Sequence, residues 1–219
     1  MLSIQRVSKP GLVVLVLVLL AVPSWAEETN FFTVSPKLEA LLTRNSAART
    51  ALSNACASAF SGRTVGLYYF YSKNEAVPRA YHFYPNTTGQ TAVVICIREN
   101  QDPWDELFTL LFELLNSKGE KQFEDLCEQA RAGKIAKDAF PKAVVQVEFE
   151  AMKATRNVVR GFHLSGKERK KSLYYSRFLE CPDDFDGFLS YTRRMSHSRD
   201  VIKEYEAQYD ELREAGSGN

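Results

Sequence analysis

Glu113 and Glu148 are the residues of this chain best suited to chemistry. Each falls in a run whose apolar residues recur with helical spacing, and a carboxylate held on a helix can serve as a general base or a metal ligand. Three histidines, His82, His163 and His197, are spread over separate segments. Any of them could meet a carboxylate or a thiol in space, and no local motif pairs them. There is no Gly-x-Ser-x-Gly elbow, and no cysteine carries a catalytic signature. The densest basic run is Lys167-Glu168-Arg169-Lys170-Lys171, with Arg193, Arg194 and Arg199 beyond it. Against a near-neutral total charge, that run reads as the solvated start of a helix.

The segment Phe112-Glu113-Leu114-Leu115-Asn116 stands where a zinc metallopeptidase of the His-Glu-x-x-His type carries its motif. Strands precede it. A later helix carries Glu148-Phe149-Glu150-Ala151, similar to the stretch that supplies the third zinc ligand in the His-His-Glu peptidases. Over about residues 91–160 the chain resembles that family. The resemblance implies a general base at Glu113 and a ligand at Glu148. The two imidazole positions are Phe112 and Asn116, so neither metal-binding histidine is present. A base without a metal-bound water has nothing to activate. The expectation is a degenerate scaffold with no metal and no cofactor. On a helical wheel Leu107, Leu110, Leu111 and Leu114 form the core stripe, and Glu106, Thr109, Glu113 and Asn116 share a face that reads as solvated. Glu148 lies near the apolar stripe of its own helix, so a partner such as Arg or Tyr is expected for it.

Around these residues the elements follow from pattern. Residues 1–26 read as a secretory signal peptide: Arg6 and Lys9, then the apolar run Leu12–Val22, then Ser24 and Ala26 flanking a cleavage site. A bilayer crossing needs roughly 20 apolar residues, about twice that run. The mature chain would be secreted or periplasmic. Losing Arg6 and Lys9 moves its formal charge from +1 to −1. That balance gives no global pull toward nucleic acid, and no later segment is apolar enough to span a membrane. In an oxidising compartment Cys56, Cys96, Cys127 and Cys181 allow disulfides, in a connectivity the spacings leave open.

The expected fold is one α+β domain over residues 27–214, with a disordered tail at 215–219. A first helix covers Pro36 to about Ala59. Three strands, Val65–Ser72, Ala80–Tyr84 and Thr91–Arg98, form an antiparallel meander, the last with the near-continuous apolarity of a central strand. Helices over about 102–117, 120–132, 138–160, 167–179 and 198–213 form a C-terminal layer. The first two strands are crowded with aromatics, and Tyr69, Tyr71 and Tyr81 are candidate binding residues on an exposed sheet face. Asn86-Thr87-Thr88 is a glycosylation sequon in a turn. Two functional classes follow. One is an exported, non-catalytic binding or structural protein, whose partner would be another exported protein or a cell-surface polymer. The other is an exported hydrolase whose site is built around Glu113 and Glu148.

Overall fold

A computed structural model describes residues 33–59, 64–71, 80–83, 92–99, 101–195 and 200–217. The signal segment 1–26, the sequon at 86–88 and His197 lie outside the described residues. The elements run α1 (Pro36–Arg44), α2 (Ser46–Ala59), β1 (Thr64–Phe70), β2 (Ala80–Phe83), β3 (Ala92–Arg98), α3 (Pro103–Asn116), α4 (Glu120–Arg131), α5 (Ala139–Arg160), α6 (Gly166–Lys171), α7 (Leu173–Glu180), α8 (Phe185–Met195) and α9 (Val201–Ser217).

The fold is predominantly helical and the sheet is mixed, which corrects the expected antiparallel meander. The strand order is β1-β3-β2; β3 pairs parallel with β1 and antiparallel with β2. β3 takes the centre because Val93, Ile95 and Ile97 bury completely there, while its neighbours are shorter or carry polar groups. Alternation sets Leu67, Tyr69, Ala80 and His82 on the same face as those three residues, since their register partners are Ile95 and Ile97. That face packs on the helices.

The predicted first helix is two. Asn45 leaves the helical region, with φ −127° and ψ 97°, and its Oδ1 accepts the Ala48 N–H at 2.9 Å. One residue therefore closes α1 and caps α2. The predicted helix over 167–179 is likewise split at Ser172, whose hydroxyl oxygen accepts from the Tyr175 N–H at 3.1 Å. Between the helices expected at 167–179 and 198–213 lies α8, from Phe185, a helix that sequence reading missed. The predicted tail is also partly helical, because α9 continues to Ser217. Arg213 donates from Nη1 to the Arg131 carbonyl at 2.8 Å. Gly216 comes so close to the same carbonyl that a Cβ would lie 2.6 Å from it. The last turn of α9 is thus docked on the end of α4.

Two apolar cores result. The first gathers α1, α2, the sheet, α3 and α7, and the second gathers α4, α5, α8 and α9. They meet along α5, where Met152 packs against both. Cys56 lies in the first core, Cys127 and Cys181 lie in the second, and Cys96 is buried on β3. All four are free thiols, so the pairing expected from the compartment is not seen. Burial pushes the Cys56 thiol up to about 12 and Cys181 up to about 11, which keeps both protonated and inert.

α3 is the hub. Asp102 caps it by accepting the Trp104 N–H at 3.0 Å, with Pro103 in the first turn. From Trp104 to Leu114 every side chain is buried. Asp105 reaches to a different helix, accepting from the Ser172 hydroxyl at 2.6 Å, the Tyr174 N–H at 2.9 Å and the Leu173 N–H at 3.2 Å. One carboxylate thereby satisfies the N-terminus of α7, whose dipole favours it. Asp105→Ala is expected to lower stability by about 2–3 kcal/mol. A urea midpoint shift with an unchanged slope would register it.

A buried candidate site on helix α3

Glu106, Thr109, Glu113 and Asn116 follow one another along α3 at helical spacing. None is solvated: their exposures are 3%, 0%, 1% and 3%. The expected polar face is therefore an interior seam, because helices and strands surround α3 on every side. Burying such groups is costly unless they are paired.

The pairing begins at the N-terminal end. Tyr69 on β1 donates to Glu106 Oε1 at 2.5 Å, and the Ser35 hydroxyl donates to Oε2 at 2.7 Å. The Ser35 N–H also donates to the Tyr69 oxygen at 2.8 Å. Ser35 is at once the N-cap of α1, so this cluster ties α1, β1 and α3 together. Burial and the Glu106 charge push the Tyr69 phenol well above its ordinary value. The tyrosine expected on a binding face is instead a donor turned into the fold.

Two turns on, Glu113 Oε2 lies 2.6 Å from Nδ1 of His82 on β2, and both side chains are 1% exposed. This hydrogen bond joins the sheet to α3. Glu148 on α5 meets Tyr205 on α9, whose hydroxyl donates to Oε1 at 2.6 Å. Burial pushes the Glu148 carboxyl up to about 8, opposed by the Tyr205 hydrogen bond and reinforced by the charges of Glu113 and Glu204. At neutral pH Glu148 is therefore largely uncharged. Glu113 and Glu148 thus feel one another through the interior, though each has a different partner.

Phe112 and Asn116, at the two motif positions, point elsewhere. Phe112 packs its ring against Phe178 of α7, with centroids 6.2 Å apart, inside the first core. Asn116 is buried, and its Oδ1 makes no hydrogen bond among the described residues; the same holds for Thr109 Oγ1 and Glu113 Oε1. Among the described residues no three His, Cys, Asp or Glu side chains come together as a metal-holding group. No family model, curated protein or solved structure matches the chain. Its function must therefore be argued from this geometry.

The remaining candidates are dispersed. Tyr71 is 63% exposed just beyond β1, and Tyr81 stands opposite Cys96 in the β2–β3 register. Tyr68 on β1, absent from the expected binding set, is 44% exposed. His163 is exposed in the connector after α5. Sequence reasoning left open which residues would be the partners of Glu113 and Glu148. His82 was legible in principle, since alternation with Ala80 sets it on the core face of β2. Tyr205 was legible too, sharing the buried stripe Val201, Tyr205, Leu212.

Proposed function

We propose that this chain is an exported, non-catalytic binding protein, built on a metallopeptidase-like arrangement of helices whose former reactive positions now staple the fold. The observation that carries this reading is the joint burial of Glu113 and Glu148, each engaged by a side chain from another element. A catalytic carboxylate must reach substrate, directly or through one water. These two are shut inside the packed interior between α3, α5, the sheet and α9. The placement of Glu113 and Glu148 on neighbouring packed helices supports the resemblance. Phe112 and Asn116 support the loss of its chemistry. No described helix is long and apolar enough to cross a membrane, which agrees with a chain released after export. The proposed partner is another exported protein or a cell-surface polymer.

One observation favours the second reading. His82 and Glu113 form a hydrogen-bonded pair of imidazole and carboxyl groups, the raised carboxyl of Glu148 feels the Glu113 charge, and an imidazole joined to a carboxyl group can serve acid–base hydrolysis. The readings separate by elemental analysis and peptide-hydrolysis assays on the purified chain and its Glu113→Ala variant. A binding protein is expected to show the same metal content and the same background hydrolysis in both. About one equivalent of zinc with measurable hydrolysis, both lost in the variant, would overturn the proposal.

A further inference from the structure

The near-neutral total charge conceals a local imbalance. Residues 160–171 hold Arg160, Lys167, Arg169, Lys170 and Lys171 against one acid, Glu168, so the rest of the mature chain is net acidic. Arg169 lies back on the fold, donating to the Leu164 carbonyl at 2.9 Å and covering the Tyr175 ring. Arg160, Lys167, Lys170 and Lys171 are exposed and form no ion pair among the described residues. Glu168 does not answer them. Its carboxylate accepts from the Ser165 hydroxyl at 2.6 Å, the Ser165 N–H at 2.9 Å and Trp104 Nε1 at 3.1 Å. These bonds commit both oxygens to the capping box of α6 and to α3. Arg44, at the end of α1, lies close enough for its charge to act on Glu168, so it adds a further cation to the same region. Two residues past Lys171 stands Leu173, one of few large apolar side chains left exposed among the described residues, at 40%.

We propose that this α6–α7 corner is a docking surface for an anionic lipid bilayer. Uncommitted lysines and arginines beside one exposed leucine match the two components of such a surface. The cations are drawn to acidic headgroups, and the apolar side chain enters the boundary beneath them. A soluble polyanion would use the cations and leave Leu173 without a role. The acidic remainder of the chain is repelled by the same surface, which orients the corner toward it.

The test is co-sedimentation of the full chain with vesicles of phosphatidylcholine alone or with phosphatidylglycerol in equal parts, at low and high salt. The apolar run at residues 12–22 and the cations Arg6 and Lys9 beside it are common to every variant, so the change on substitution reads the corner. Each lysine near an acidic surface contributes about a fivefold factor in partitioning. Lys167→Gln, Lys170→Gln and Lys171→Gln together are expected to reduce the anionic preference by about a hundredfold. Leu173→Ser is expected to weaken binding to the anionic vesicles severalfold, and high salt to suppress the anionic preference. All four positions are exposed, and an unchanged urea midpoint would verify that the variants fold. Equal binding to both vesicle types, no binding, or a preference untouched by the triple substitution would overturn the proposal. So would binding of heparin as tight as that of anionic vesicles and indifferent to Leu173→Ser, which would assign the corner to a soluble polyanion.

Discussion

Glu148→Gln is expected to make the protein more stable at pH 8 than the natural chain, by an amount that grows steadily from acid to mildly alkaline pH. The sign follows from proton linkage. The Glu148 carboxyl is raised from an ordinary value of 4.5 to about 8, chiefly by burial. Below pH 4.5 both the folded and unfolded chains hold this proton, and the neutral carboxyl contributes fully. Between 4.5 and 8 the folded chain retains a proton that the unfolded chain has released. Stability then falls as pH rises, by up to ~1.4 kcal/mol per pH unit, and levels off above about 8. Glutamine keeps the carbonyl oxygen that accepts from Tyr205 and has no proton to lose. Urea unfolding of both proteins at pH 5, 6, 7 and 8 isolates the effect as a difference. A difference that stays flat across that range would mean that Glu148 ionises as it does in water.

Glu113→Ala is expected to act in the opposite direction, lowering stability by about 2–4 kcal/mol. The loss has two parts. The hydrogen bond to His82 disappears, and an imidazole that is 1% exposed loses its carboxylate partner without gaining water. Glu113→Gln retains an acceptor for Nδ1 and is expected to cost less, about 1 kcal/mol. The contrast between the two substitutions matters for function. Groups kept for catalysis are commonly held at the expense of stability, and removing them stabilises the fold. A group that staples a strand to a helix destabilises the fold when removed.

Much of the framework was legible in the sequence, because it rests on local signals. The central position of β3 followed from the apolar run Val93–Ile97. The start of α3 followed from Asp102-Pro103, and that of α1 from Ser35-Pro36. The direction of β1 relative to β3 was not legible, since it depends on the route of the chain between strands. Neither was the break at Asn45, where one side chain closes α1 and caps α2 with no glycine or proline to mark it. The seam on α3 shows the limit most clearly. Glu106, Thr109, Glu113 and Asn116 have the spacing of a polar helical face, and that spacing is the same whether the face meets water or other side chains. What decides is supplied by residues far away: Ser35 lies 71 positions from Glu106, and His82 lies 31 from Glu113. Glu148 was better placed for inference. A carboxylate beside an apolar stripe requires a partner, and a tyrosine is what it meets.

The measurement that bears most directly on the account is a double-mutant cycle between His82 and Glu113, read by urea unfolding of the natural chain, His82→Ala, Glu113→Ala and the double variant. A structural staple is expected to give a favourable coupling of about 1 kcal/mol or more, with both single variants less stable than the natural chain. Coupling near zero, with Glu113→Ala at least as stable as the natural protein, would contradict it and return Glu113 to the role of a reactive carboxylate.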